Sequence, residues 1–180
     1  MIPPVTTIAT PNGKVMIRPG RLADAVLLTE LREKALRDNP TLFGSSYEAR
    51  ENCTLEWSQK VLGANPHESC NFLAEYGQKI LGTAGIRRYS GQKTRHSATI
   101  GGVYIRPEWR SMGIVNGLFE ACLDWAKKEQ ITILKLAVVT SNLPALKAYQ
   151  RLGFSIYGTE PKVIQYEGVY YDEYLLAREV

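Results

Sequence analysis

The segment Ile133–Val139 constrains the fold more than any other stretch of this chain. It reads Ile-Leu-Lys-Leu-Ala-Val-Val, almost wholly apolar, with Lys135 as its one interruption. That pattern predicts a strand buried on both faces, and such a strand needs helices on either side of its sheet. The flanking sequence supplies helices. Upstream, Ile114, Leu118, Cys122 and Ala126 fall on one helical stripe over 114–129, with Phe119 and Leu123 beside it. Downstream, Asn142 suits an N-cap, Pro144 lies in the first turn where a missing N–H does little harm, and Gly153 fits a helix C-terminus. Strands over 154–159 and 170–177 are predicted to close the chain.

The first half reads differently. A strand over 14–18 ends at Pro19-Gly20. Asp24 is a plausible cap for a helix carrying Leu27, Leu28, Leu31 and Ala35, which Asn39-Pro40 stops. Residues 41–69 are ambiguous, although Leu55, Trp57, Val61 and Leu62 suggest a short second helix closed by Gly63. Strands over 71–75, 79–89 and 96–105 then form a meander, the first two joined at Tyr76-Gly77-Gln78. Gly101-Gly102 inside the third strand points to a bulge or to the close approach of another backbone or ligand. The expected architecture is a mixed α/β sheet with helices on both faces. Residues 1–13 are expected to be a flexible N-terminal extension, and 14–180 a single domain.

Composition excludes several classes. With 44% apolar and 22% charged residues, the 180-residue chain matches ordinary globular proteins rather than disordered ones. The net charge of +4 is not gathered into a tract, so no nucleic-acid partner is expected. Three scattered cysteines and two histidines give no zinc-ligand spacing and no disulfide framework, so no metal is expected. No apolar run is long enough to span a bilayer, and the first residues lack the pattern of a secretory signal, so the expected setting is cytoplasmic, with no membrane partner.

Two segments carry chemistry. The first is Val103-Tyr104-Ile105-Arg106-Pro107-Glu108-Trp109-Arg110-Ser111-Met112-Gly113-Ile114-Val115: a strand, a loop and a helix start with a glycine. Amides at a helix N-terminus have no intrahelical partner, and the helix dipole favours an anion there. With Arg110 adding charge, this suits a pyrophosphate. The second runs from Asn142-Leu143-Pro144-Ala145 through Tyr149 to Gly153-Phe154 and places Asn142 and Tyr149 two helical turns apart.

Together the two segments resemble motifs A and B of the GNAT superfamily of acyl-CoA-dependent N-acyltransferases, over about residues 15–177. The resemblance implies a central mixed, mostly antiparallel sheet of about seven strands. It also implies acetyl-CoA as co-substrate and direct attack by a primary amine of a small molecule or peptide in a ternary complex. By the same resemblance, the backbone of Val103, Tyr104 and Ile105 would pair with the pantetheine arm. Arg110 and the N–H groups of Ser111, Met112, Gly113, Ile114 and Val115 would hold the pyrophosphate. Asn142 would bond the cofactor near its pantetheine end, and Tyr149 would sit beside the thioester sulfur and protonate the leaving thiolate.

Val115 departs from the family pattern, which has glycine or alanine there. The strand 100–103 also lacks the carboxylate that many members use as a base. Glu48, His96, Glu160, Asp172 and Glu173 are the remaining candidates. In this fold Phe43, Tyr47, Glu48, Glu160, Tyr171 and Asp172 would flank the acceptor, their aromatics and acids suiting a cationic amine. The rival reading is a non-catalytic acyl-CoA-binding sensor or interaction module, and a strand edge near the C-terminus offers a route to a homodimer.

Overall fold

The apolar stripe over 114–128 becomes helix α3 (Ile114–Lys128), laid across the sheet in the computed structural model, which describes residues 5–180. Helix α4 (Leu143–Arg151) lies on the same face, because its Leu146 and Tyr149 join the main core with Leu118, Phe119, Cys122 and Trp125 of α3. Helices α1 (Ala25–Asp38) and α2 (Leu55–Leu62) cover the opposite face, where Leu28, Leu31 and Ala35 pack with Leu73, Ile80 and Tyr104.

Between these layers runs one sheet, eight-stranded among the described residues: β1 (Thr6–Thr10), β2 (Gly13–Pro19), β3 (Ser69–Tyr76), β4 (Lys79–Arg88), β5 (Ser97–Ile105), β6 (Ile133–Val139), β7 (Ser155–Tyr166) and β8 (Val169–Glu179). Their spatial order is β1-β2-β3-β4-β5-β6-β8-β7. Every neighbouring pair is antiparallel except β5 with β6. That single parallel pair follows from chain order: α3 carries the chain from the end of β5 back to the start of β6, the usual helical crossover.

Four expectations need correction. The eighth strand is β1, which pairs with β2 through a Pro11-Asn12 turn, so residues 6–13 extend the sheet instead of hanging from it; the first four residues of that expected extension lie outside the described residues. The β7–β8 hairpin is longer than its predicted strands and turns at Glu167-Gly168. Strand β6 is fully buried on one face only. Leu134, Leu136 and Val138 enter the core, whereas Ala137 is exposed and Ile133 and Lys135 are half-buried. The reason is the placement of the second helical layer: α1 lies over β4 and α2 over β3. Lastly, Asp24 precedes α1 without capping it. Its carboxylate accepts from Arg18 Nη1 and Nη2 at 2.7 and 2.8 Å and from the Arg21 N–H, because the buried Arg18 guanidinium is the stronger claimant.

Candidate active site

Parallel pairing between β5 and β6 is brief, joining Ser97, Ala98 and Thr99 to Ile133, Leu134 and Lys135. Beyond Thr99 the strands part. The glycine pair follows directly. From Gly85↔Gly101 to Thr83↔Tyr104, β4 advances two residues and β5 three, so β5 carries a bulge. Gly102 sits in it at φ +62°, a left-handed conformation that costs an L-residue about 1–2 kcal/mol. The sequence expectation of a bulge at this pair therefore holds. Past it, Tyr104 and Ile105 pair with Thr83 and Gly82 of β4, but the other edge of residues 103–105 meets no strand among the described residues.

The loop after β5 delivers the chain to α3 through Ser111 (φ +60°) and Gly113 (φ +79°), the N-cap. A methyl group built on Gly113 would meet nothing within 4 Å, so the space over this helix start is open. Within α3 the N–H of Gly117 is the first to find its carbonyl, that of Gly113, leaving the preceding amides without an intrahelical partner. Arg110 stays close: its Nε donates to the Ile105 carbonyl at 3.1 Å and its guanidinium lies over the Tyr104 ring. The side chain of Val115 packs against the main core, so its branching does not occupy the open space. Gly117 has a different duty. A Cβ there would fall 2.2 Å from Ile8 and 3.2 Å from Ile17, so its small size lets α3 approach β1 and β2.

Asn142 caps α4, its Oδ1 accepting from the Ala145 N–H at 3.4 Å, which leaves its amide N–H groups uncommitted to the helix. Tyr149, 8% exposed, stacks on Phe119 with ring centroids 5.2 Å apart. Burial pushes its phenol up to about 12, so it remains protonated through the neutral range.

On the other face, two of the four buried polar side-chain atoms without a partner among the described residues are Tyr104 Oη and Thr83 Oγ1, and these two residues sit opposite each other on β5 and β4. Tyr104 packs in the cluster beneath α1, alongside Phe43. Tyr47 donates no bond to the gap. It accepts from Arg37 at 2.7 Å and carries that guanidinium over its ring. Glu48 accepts from Ser46, and its charge is also felt by the Tyr166 phenol, raised chiefly by Glu167. Asp172 holds the Lys162 N–H at 2.8 Å within the irregular part of β7, and Tyr171 is paired with Ile164.

Among the carboxylates and histidine considered as bases, position separates the candidates. His96 precedes β5 at the end remote from the parted strands and is exposed. Glu173 pairs with Val139 at the parted end of β6 and with Glu160 across β7. Tyr174 and Leu176 turn into the main core, so Glu173, adjacent to Tyr174, projects to the α1 face. Burial, with the like charge of Glu160 second, raises its carboxyl above the usual range. No group of three His, Cys, Asp or Glu side chains among the described residues is arranged to hold a metal, and no helix there is long and apolar enough to cross a membrane.

The profile of the acetyltransferase (GNAT) family matches residues 28–154. The chain belongs to that family. It is 33% identical over 81 residues to the L-amino acid N-acetyltransferase AaaT of Escherichia coli K12; the match takes in 43% of this chain and 48% of that protein, so the chain spans about half the length of this curated relative. Its fold superposes on an acetyltransferase of the GNAT family from Streptococcus pneumoniae with a TM-score of 0.80 and 25% identity, covering 92% of this chain and 99% of the other. The structure of yncA from Salmonella typhimurium with its cofactor acetyl-CoA aligns with a TM-score of 0.76 at 18% identity, over 92% and 93% of the two chains, a likeness of fold alone.

Proposed function

We propose that this protein transfers an acetyl group from acetyl-CoA to a primary amine of a small molecule or peptide, the amine attacking directly in a ternary complex. The observation that carries this reading is the parting of β5 and β6 beyond Thr99, which with the Gly102 bulge leaves a strand edge unpaired beside an open helix N-terminus. Those features fit the donor: the edge of Val103, Tyr104 and Ile105 suits the amides of a pantetheine arm, and the amides of Ser111 to Val115 with Arg110 suit a pyrophosphate. Asn142 has amide donors to spare for the same arm. When bound, acetyl-CoA supplies an activated acyl group with a thiolate as leaving group.

The chain's own residues manage the protons. An alkylammonium has a pKa near about 10.4 and must lose a proton before it can attack. Glu173, with its raised carboxyl and its place on the α1 face, is the base in this reading. Tyr149 reaches the gap from the opposite face and donates its hydrogen bond where the thiolate departs. Backbone N–H groups at the bulge stabilise charge on the carbonyl oxygen. The core-facing Val115 removes one ground for a non-catalytic acyl-CoA module. The deciding experiment is thiol release from acetyl-CoA across a panel of amines, with calorimetric binding of CoA alongside. Binding of CoA without turnover of any amine would favour the sensor module instead.

A further inference from the structure

Two arginines are buried in this fold, and they are treated in opposite ways. Arg18 is met by two carboxylates, Asp24 and Glu75, in a closed ion-pair network. Arg32, on α1, is 8% exposed and has no carboxylate within ion-pair distance among the described residues. The adjacent Glu33 is already paired with Arg50. Arg32 Nε donates to the Asn52 carbonyl at 3.3 Å, Nη2 reaches Ser45 Oγ at 3.5 Å, the limit of a hydrogen bond, and Nη1 has no partner. The guanidinium carbon lies over two rings, 4.7 Å from the centroid of Phe43 and 5.7 Å from that of Trp57. A buried guanidinium without a counter-charge is costly, and burial pulls this one down to about 10.

We infer that Arg32 is the anion-binding residue of the acceptor groove, and that the natural acceptor is an amine that also carries a carboxylate. The inference rests on the acyl-transfer reading above. The geometry gives three reasons. The Nε bond and the two rings fix the guanidinium, leaving Nη1 unpartnered among the described residues and Nη2 on a bond at its length limit, which a carboxylate's two oxygens would replace with a matching pair. Phe43 belongs to the loop expected to flank the acceptor, and it packs on the same cluster as Tyr104, whose backbone borders the gap. The two rings also offer an apolar wall for the body of such an amine. A purely structural clamp on the loop would need only the Nε bond.

The test compares L-phenylalanine with L-phenylalaninamide, and an L-alanyl-L-phenylalanine acid and amide pair to set the distance between amine and carboxylate. The wild-type protein is expected to prefer the acid of at least one pair by roughly ten- to a hundred-fold in kcat/KM, the range lost when a charge-assisted hydrogen bond goes unmade. In R32M and R32K the preference should collapse, with KM for the acid rising and kcat nearly kept. A clamp lost from the loop would lower acid and amide turnover alike. Should the variants fail to fold, the wild-type ratio decides alone. Should no amine turn over, calorimetric titration of the wild type with each acid and amide, with and without CoA, gives the same comparison. Equal handling of acid and amide by a protein that binds CoA overturns the carboxylate site and leaves acyl transfer standing. Failure to bind CoA overturns the acyl-transfer reading itself.

Discussion

Replacing Tyr149 by phenylalanine removes one oxygen from a ring that is packed on Phe119 and buried in the core. The size of the effect follows from the phenol's environment. Burial raises it to about 12. A free thiol lies near about 8.5, so complete proton transfer from this phenol to a departing thiolate would be uphill by about 5 kcal/mol. In the proposed reaction Tyr149 would therefore act as a hydrogen-bond donor to developing negative charge rather than as a full acid. Such a bond is worth about 1.5–3 kcal/mol, so Y149F should slow single-turnover acetyl transfer by about 10- to 150-fold. Stability should stay within about 0.5 kcal/mol, because the stacked ring and its packing are kept. Calorimetric CoA affinity should also be nearly unchanged, since the bond forms only as charge appears. The assay is rapid-quench measurement of the first turnover, alongside thermal unfolding. A first turnover within twofold of wild type, or a loss of CoA affinity equal to the loss of rate, would refute the assignment.

If Glu173 is the base, kcat/KM should rise with pH along a limb set above the ordinary carboxylate range, since only the deprotonated form accepts a proton. E173Q should abolish that limb, and E160Q should move it to lower pH by removing the like charge. G102A should destabilise the protein by about 1–2 kcal/mol in urea unfolding and weaken CoA binding, whereas G101A, whose φ is not left-handed, should unfold at the wild-type midpoint or slightly above it. D24N breaks the buried pair with Arg18 and should cost about 3 kcal/mol, the low end for such pairs because Glu75 still holds the guanidinium. Arg18, as hydrogen-bond partner, holds the Asp24 carboxyl below its ordinary value. Its contribution is thus complete above about pH 4, the unfolded value, and drains away as pH falls toward the folded one; acid unfolding of D24N should lack that component.

Periodicity in the sequence located α1, α3, α4 and the β3–β4 hairpin, because each is settled by residues within a few positions of one another. The glycine pair at 101–102 announced the bulge for the same local reason. What escaped was decided by partners far along the chain. The wholly apolar look of β6 did not reveal that α1 and α2 stop over β4 and β3. Nor did the sequence of 6–10 reveal β1, which is held by pairing with β2 and by the space that Gly117 leaves for Ile8. Arg32 had a faint local signal: it stands at the four-residue spacing of Leu28 and Leu36, where a charge interrupts the buried stripe. Its missing counter-ion is a tertiary fact, as is the pairing of Glu160 with Glu173.

The two residues assigned to proton handling lie on opposite faces of the sheet, Tyr149 with the α3–α4 layer and Glu173 toward α1. In a continuous sheet they would be separated by a strand layer, and no single substrate atom could feel both. Continued at the spacing of Ser97 with Ile133, the β5–β6 pairing would set Val103 against Val139 and close that route. The pairing stops instead at Thr99, and the bulge at Gly102 follows. On the proposed reading, the sheet opening beside this left-handed glycine would serve two ends: the bared edge would take the donor's arm, and Tyr149 and Glu173 would address the same bond from the two faces. Binding and chemistry would then be coupled at a single backbone position. A substitution that straightens β5 should lose both together, whereas losses at Tyr149 or Glu173 should leave binding in place.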